Sequence, residues 1–206
     1  MEGSLSGAVL CGGRSLRMGR DKALLELDGS SLLDRAVARL RRVADPVIIA
    51  GGSDWITRPA CVSVVDPAPR CGPVGGLVAA LRASPHPLCA VVAVDMPWLS
   101  PDVLARLAGL WDGEDAVVPV TAAGPEPLHA VYCRSALGHA EAALGSADLS
   151  ARGLLGRLRV RQVAAAEVAA PAEAAFSENV NTPADWRRCR ETSRTSGHRH
   201  DGRVMP

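Results

Sequence analysis

The chain has 206 residues, of which 48% are hydrophobic, enough for one substantial core but short for two. Its formal net charge is +1, so no overall field favours a nucleic acid or a membrane surface as a partner. Aromatic residues make up 3% of the chain, which leaves little material for stacking on bases and counts against a single-strand nucleic-acid binder.

Short β-branched runs alternate with helical stretches, a pattern typical of βαβ units and a mostly parallel sheet. We therefore expect an α/β fold, a single-domain Rossmann-like three-layer sandwich over residues 1–190, followed by a disordered tail over 191–206. The expected strands are 7–10, 46–50, 62–65, 88–94, 116–120 and 129–133. The expected helices are 32–43, 72–82, 101–111, 135–144 and 150–158, and an Asp-Gly turn closes a short segment over 24–29.

The six cysteines are scattered, with no C-x-x-C pair and no histidine at zinc-finger spacing. We expect reduced thiols rather than a disulfide framework, as in cytosolic proteins. No apolar run approaches the roughly 20 residues that span a bilayer, and no basic region precedes the first apolar run. These features predict a cytoplasmic protein without a membrane partner.

The first expected strand leads into a loop, residues 11–22, that contains three glycines, three arginines and a lysine. Glycines let backbone N–H groups approach an anion closely, and the basic side chains supply the charge that a polyphosphate demands. A Walker A motif does not fit, because Arg20 follows Gly19, and a dinucleotide fingerprint does not fit either, because Gly12 and Gly13 are adjacent. The loop favours a cradle for a nucleoside triphosphate; a basic surface loop with glycines for turning is the alternative.

Two carboxylates directly follow expected strands, Asp66 after 62–65 and Asp95 after 88–94. Ligands of open α/β sheets bind at the carboxyl ends of the strands. Mg²⁺ prefers one or two carboxylates with phosphate oxygens and water, so Asp95 is expected to bind Mg²⁺, with helix capping as the alternative. Asp66 can accept hydrogen bonds from guanine N–H groups or from ribose hydroxyls, and the alternative is a turn role in Asp-Pro.

The pattern L-x-G-G-x-S-x-R-M-G-x-D-K over residues 10–22 resembles the signature of nucleotidyltransferases with a glycosyltransferase-A-like fold. Within these enzymes it is most similar to the molybdenum cofactor guanylyltransferases, and the resemblance covers roughly residues 7–187. It implies three catalytic residues: Arg17 and Lys22, which would hold the triphosphate and stabilise the leaving pyrophosphate, and Asp95, which would hold the metal. The nucleotide-binding residues that it implies are Leu10, Cys11, Gly12, Gly13, Lys22, Asp66, Gly72, Gly76 and Asp95.

Near the end of the chain, N-V-N-T-P-A-D over residues 179–185 resembles the family's N-x-N-T-P-x-D segment. The resemblance implies that Asn179 and Asn181 contact the acceptor or metal-bound phosphate, and on an extended strand both would project to the same side. Thr182 could equally cap a helix that begins at Pro183. Related cytidylyltransferases usually carry aspartate at the asparagine positions, which favours guanylyl transfer here.

One further segment and two departures bear on this resemblance. The segment P-L-H-A-V-Y over 127–132 resembles the family's P-L-x-A-x-Y segment, which lines the acceptor side of the site. We interpret its His129 as a packing residue rather than a general base. Cys11 stands where family members usually have alanine. Residues 50–52 are A-G-G, so they offer no side chain where members often carry a nucleotide-contacting asparagine.

The resemblance implies Mg²⁺-dependent transfer of GMP from GTP to the phosphate of Mo-molybdopterin, with release of pyrophosphate. The alternatives are cytidylyl transfer to the same cofactor, nucleotidyl transfer to a sugar phosphate or phospholactate, and a non-catalytic partner in molybdoenzyme maturation. We expect a monomer that does not bind nucleic acid, with molybdoenzymes or other cofactor-biosynthesis proteins as further partners.

Overall fold

The computed structural model describes residues 5–11, 21–51, 57–67 and 71–197. Within these segments the strands are β1 (Leu5–Leu10), β2 (Glu26–Leu27), β3 (Ser30–Ser31), β4 (Val47–Ala50), β5 (Cys61–Val64), β6 (Leu88–Ala93), β7 (Ala116–Thr121), β8 (Gly124–Pro125), β9 (His129–Cys133) and β10 (Val160–Ala164). The α-helices are α1 (Leu32–Leu40), α2 (Gly72–Ala83), α3 (Pro101–Gly109), α4 (Ala136–Ala143), α5 (Ala151–Leu155), α6 (Ala165–Val168) and α7 (Pro183–Gly197). Lys22–Leu24 and Pro171–Glu173 are short 3₁₀ helices. None of the described helices combines the length and the apolar character that a bilayer span requires.

The central feature is an eight-stranded sheet with the order β10-β7-β9-β6-β1-β4-β5, in which β8 pairs with β7. β1 is parallel to both of its neighbours, β4 and β6, and β5 extends the parallel arrangement on one side. β9 is antiparallel to β6 and β7, while β10 runs parallel to β7. The sheet is therefore mostly parallel, as the alternating sequence pattern predicts.

Helices cover both faces of this sheet and give the expected three layers. On one face α1 and α3 pack with Val9 and Val92 in one apolar cluster. On the other face α2 and α4 pack with Ala8 and Val91 in a second cluster. Because successive side chains of a strand point to opposite faces, central strands such as β6 need apolar residues at every position.

Most expected elements form within a few residues of their predicted limits, and the differences have local causes. Asp28 (φ 52°) and Gly29 (φ 76°) form the turn of the β2–β3 hairpin, and Ser31 caps α1 by accepting a hydrogen bond from the Asp34 N–H (3.1 Å). β10 was not expected: it lies at the sheet edge and has several exposed residues, so its sequence lacks a continuous apolar run.

The last helix differs from the sequence-based expectation that a tail begins at residue 191. α7 continues to Gly197, because Cys189 and Ser193 on one side of the helix are buried. The Ser193 hydroxyl donates a hydrogen bond to the carboxylate of Asp28 in the hairpin turn. Residues 198–206, the rest of the expected tail, lie outside the described residues.

Candidate functional site

Three of the residues singled out in the sequence meet at the carboxyl edge of the sheet. The Lys22 Nζ donates hydrogen bonds to Asp95 Oδ2 and to Asn181 Oδ1, each at 2.7 Å. The side chains of Lys22 and Asp95 are 19% and 17% exposed, so this ion pair is partly shielded from water and can still be reached by a ligand.

Local backbone contacts position each of these three residues. Lys22 begins a 3₁₀ helix capped by the Asp21 carboxylate, which accepts from the Ala23 N–H at 3.0 Å. The chain around Asp95 is held to β1, because the Val94 N–H donates to the Leu10 carbonyl at 3.1 Å. The Val180 N–H donates to the Asp95 carbonyl at 2.9 Å, which places Asn181 beside the carboxylate.

The capping alternative for Asp95 is wrong, because Ser100 performs that role. The Ser100 Oγ accepts from the Val103 N–H at 3.2 Å and caps α3. The Asp95 carboxylate thus remains with Lys22 at the edge of the sheet.

The other described residues of the expected nucleotide-binding set are Leu10 and Cys11 at the end of β1, Asp66 after β5, and Gly72 and Gly76 at the start of α2. Leu10 and Cys11 are buried, and the Cys11 N–H continues the ladder to the Ala50 carbonyl at 2.8 Å. Burial raises the pKa of the Cys11 thiol to about 12, so Cys11 acts as a small packing residue. Gly12, Gly13 and Arg17, which complete the expected loop, lie outside the described residues.

Asp66 follows β5 and points its carboxylate at the start of α2. Its Oδ1 is buried and has no hydrogen-bond partner among the described residues, and burial raises the pKa of this carboxyl group. A Cβ at Gly75 would lie 3.5 Å from Asp66 Cγ, and one at Gly76 would lie 3.7 Å from its Oδ1. The Asp66 carboxylate therefore lies against the first turn of α2, with one acceptor oxygen that no group in the described part of the chain satisfies.

The glycines of this turn differ in what they require. Gly72 has φ +57°, and an added Cβ would approach the Leu149 carbonyl oxygen to 2.9 Å. At Gly76 an added Cβ would meet Leu10 at an ordinary 3.4 Å, so among the described residues packing does not demand glycine there. Gly75, absent from the sequence-based list, does require glycine, because a Cβ would lie 2.3 Å from Cys71 Cβ.

The two asparagines occupy different places. Asn181 contacts Lys22, whereas Asn179 lines a cavity of about 410 Å³ between the turn after Asp95 and α7. Their segment, with Val180 buried between them, has no regular secondary structure, so the same-side arrangement that an extended strand would give does not apply.

Thr182 caps α7. Its Oγ1 accepts from the Asp185 N–H at 3.1 Å, and Asp185 Oδ2 accepts from the Thr182 N–H at 2.8 Å. The structural interpretation of Thr182 is thus confirmed.

His129 is a packing residue, as the sequence indicates, and it contacts the start of α3. Its Nε2 accepts a hydrogen bond from the Ser100 N–H at 3.1 Å, and its ring contacts Phe176 with centroids 4.7 Å apart. Burial lowers the pKa of His129 to about 4, so the ring is neutral at physiological pH. The neighbouring Tyr132 is fully buried and donates to the Pro127 carbonyl at 2.9 Å, so its side chain belongs to the core.

Sequence reasoning did not find Glu173, which connects the turn after Asp95 to the segment before α7. Its carboxylate accepts from the Ser100 hydroxyl, from Arg106 Nη1 (2.8 Å) and from the Ala170 N–H (2.8 Å). No local motif marks this residue, because its partners Ser100 and Arg106 are distant in sequence.

Comparison with known proteins gives consistent matches over the same segments. The model of the MobA-like NTP transferase domain matches residues 7–163. A protein of Pelotomaculum thermopropionicum named "Probable molybdenum cofactor guanylyltransferase" is 35% identical over 196 residues, which cover 92% of this chain and 95% of that protein. A molybdenum cofactor guanylyltransferase of Desulfosudis oleivorans is 32% identical over 164 residues, 78% of this chain and 81% of that protein.

A solved structure agrees with the sequence matches. Molybdopterin-guanine dinucleotide biosynthesis protein A from Archaeoglobus fulgidus has a TM-score of 0.78 and 27% sequence identity, over 92% of this chain and 99% of that one.

A mostly parallel sheet with a lysine, a carboxylate and an amide meeting at its carboxyl edge defines this protein as a nucleotidyltransferase of the glycosyltransferase-A-like fold. The family match extends from the first central strand to the edge strand β10. The chain belongs to the family of MobA-like NTP transferases.

Proposed function

We propose that this chain transfers GMP from GTP to the phosphate of Mo-molybdopterin, producing the guanine dinucleotide cofactor and pyrophosphate. The observation that carries the proposal is the meeting of Lys22, Asp95 and Asn181, together with relatives named as guanylyltransferases over most of the chain. The attacking phosphate is already anionic and requires no strong base, which suits a site whose nearby histidine, His129, is buried and neutral.

Lys22 is the proposed electrostatic catalyst. On substrate binding its ammonium group would contact the triphosphate and stabilise the pyrophosphate as it leaves. Arg17 is proposed to assist it, and the backbone from Leu10 to Gly13 to cradle the phosphates. Most of the rate acceleration would then come from positioning and charge neutralisation.

Mg²⁺ is the proposed cofactor, and the oxygen donors at the site suit it. Asp95 supplies a carboxylate and Asn181 an amide oxygen, and no cluster of three or more His, Cys, Asp or Glu ligands occurs in the described part of the chain. Mg²⁺ characteristically takes one or two protein oxygens and completes its shell with phosphates and water. When bound, it would neutralise charge on the α-phosphate.

Guanine is the proposed base, and Asp66 is the residue proposed to recognise it. The two oxygens of the Asp66 carboxylate can accept from the adjacent N1–H and N2–H₂ groups of guanine, and its buried Oδ1 has no other partner among the described residues. Gly72 and Gly76 at the start of α2 are proposed to keep the backbone close to the nucleotide. Cytosine lacks that pair of N–H groups, so CTP fits Asp66 less well than GTP and is the second candidate for the nucleotide substrate.

The cellular setting is also a proposal. We infer a monomeric enzyme of the cytoplasm, where GTP is available. Molybdoenzymes or other proteins of cofactor biosynthesis are the proposed recipients of the product.

A nucleotide panel tests the donor. Pyrophosphate release with Mo-molybdopterin and Mg²⁺ should be fast with GTP and at least ten-fold slower with CTP, ATP and UTP, because the wrong base leaves polar groups unpaired. Preference for CTP would make the chain a cytidylyltransferase, and absence of release with every nucleotide would favour a non-catalytic maturation partner.

Variants of the ion pair test the catalytic assignment. Lys22→Ala and Asp95→Ala should each lower kcat by at least 100-fold while the melting temperature stays within a few degrees, because each removes charge stabilisation from the transition state. Arg82→Ala, which breaks an exposed ion pair with Glu141 away from the site, is the matched control and should retain activity. Near-normal turnover in a folded Lys22 or Asp95 variant would contradict the assignment.

A further inference from the structure

The cavity beside α7 has an uneven distribution of polar groups. The cavity is lined by Pro97 and Trp98 from the turn after Asp95, by the segment 178–180, and by residues of α7. The volume of the cavity, about 410 Å³, is in the range of small-ligand sites.

Two carboxylates line the cavity, but one of them is already fully engaged. Asp185 accepts from the N–H groups of Asn181 and Thr182 and pairs with Arg188. The Glu178 N–H donates to the Ala175 carbonyl, but the Glu178 carboxylate has no hydrogen bond or ion pair among the described residues. A ligand in this cavity would therefore meet the Glu178 carboxylate as its free acceptor, next to the flat apolar surface of Trp98.

These groups select a class of ligand. A planar ring can stack on the indole of Trp98, and two adjacent N–H donors on that ring can both bind the carboxylate of Glu178. The aminopyrimidinone ring of a pterin has such an edge, and so does guanine. The position of the cavity decides between them.

The cavity and Asp66 lie on opposite sides of the central strand β1. Asp66 follows β5, which is reached from β1 through β4, whereas the cavity adjoins the turn after β6, the other neighbour of β1. The Lys22–Asp95 pair lies between them. A base bound by Asp66 occupies the β4–β5 side of β1, so the cavity on the β6 side remains for the acceptor, whose phosphate has to reach the Lys22–Asp95 pair.

We propose that this cavity binds the pterin ring of the acceptor, with Glu178 accepting from the ring's amino and N–H groups and Trp98 stacking on its face. The inference rests on the proposed function, because it assumes a pterin acceptor. It also explains the spacing of the asparagines, since Asn179 lines the ring cavity while Asn181 lies at the phosphate-transfer centre.

Calorimetric titration of the full chain with free pterin tests the proposal without turnover. Glu178→Gln places an amide donor against the ring donors and should raise the Kd for pterin about 10- to 100-fold. Glu191→Gln makes the same change at an exposed position of α7 outside the cavity and should leave the Kd unchanged. Lumazine, which has an oxygen in place of the pterin amino group, should bind wild type at least ten-fold more weakly than pterin.

Other results would overturn the proposal. These are absence of pterin binding to wild type, equal Kd values for the two glutamine variants, and lumazine binding as tightly as pterin. A raised Kd for GTP in Glu178→Gln would also overturn it, because the cavity would then hold guanine. Trp98→Leu provides a second variant, with weaker pterin binding and unchanged GTP binding expected.

Turnover separates this inference from the proposed function. If wild type releases pyrophosphate from GTP and Mo-molybdopterin but Glu178→Gln leaves the acceptor KM unchanged, the cavity assignment alone fails. If pterin binding depends on Glu178 and no transfer occurs, the transfer reaction alone fails.

Discussion

At the scale of single residues, Asp66 stands out because it is unfavourable to the free protein. A buried acceptor without a hydrogen bond costs about 1–3 kcal/mol, and the Asp66 Oδ1 has no partner among the described residues. Burial also raises the pKa of this carboxyl group above its ordinary value of 3.8, so the folded state disfavours its ionised form. Such residues are typical of binding sites, where a ligand supplies the missing partner.

Asp66→Asn should therefore stabilise the free protein and weaken nucleotide binding. Because the folded pKa lies above the unfolded one, wild type loses stability as pH rises from about 3.8 through the folded value. The asparagine variant does not titrate there, so its free energy of unfolding does not fall in the same way. It should therefore exceed that of wild type by about 1 kcal/mol at pH 7, and the difference should vanish below about pH 3.8. Thermal unfolding at several pH values, with and without GTP, measures both effects.

The ligand response completes that test. In wild type, GTP at one hundred times its Kd should stabilise the fold by about 2.7 kcal/mol, and this shift should be strongly reduced in the variant. An undiminished GTP shift in Asp66→Asn would contradict the role of Asp66 in nucleotide binding.

At the scale of secondary-structure elements, Glu173 connects parts that the sequence leaves far apart. It joins the start of α3, through Ser100 and Arg106, to the 3₁₀ turn that precedes the asparagine segment. Burial alone would raise the pKa of Glu173, but the hydrogen bonds from Ser100, Arg106 and Ala170 outweigh it and lower the pKa to about 2. The ionised carboxylate thus stabilises the contact between α3 and the 3₁₀ turn that precedes the asparagine segment.

Glu173→Gln should make the protein less stable at neutral pH by about 1.5–3 kcal/mol, since a charged acceptor of several hydrogen bonds is lost. Because the folded pKa is depressed from 4.5 to about 2, the wild-type advantage is complete above pH 4.5 and disappears as pH falls towards 2. Urea unfolding at a series of pH values measures the difference. Glu167→Gln, an exposed change on α6, is the control, and equal pH profiles for the two variants would refute this account.

The elements themselves were largely predictable. Buried strands such as β6 and capped helices such as α1 and α3 are marked by apolar runs and by Ser31 and Ser100 next to them, because these signals act within a few residues. β10 and the end of α7 were not predictable from the sequence. Both are exposed, polar segments, and they form a strand and a helix through contacts with distant parts of the chain.

At the scale of the whole molecule, the order of the strands determines which loops share the site. β1 lies between β4 and β6, so the end of β1 at Leu10 has Asp66, which follows β5 beyond β4, on one side and Asp95, which follows β6, on the other. This arrangement places the proposed base-binding and acceptor-binding regions on either side of the phosphate centre. A point change in a loop can therefore alter one substrate while the other remains bound.

The pattern of apolar runs, the glycine-rich loop and the carboxylates at strand ends were readable in the chain because each depends on neighbours close in sequence. The contact between Lys22 and Asn181 could not be predicted from the sequence, because the two residues are 159 positions apart and meet only when α7 packs beside the turn after β6. The same packing engages Asp185 and leaves Glu178 available, although both are acidic residues in one polar segment. Local sequence can specify a residue's chemistry, but which partners remain for a ligand depends on long-range packing, which local patterns do not encode.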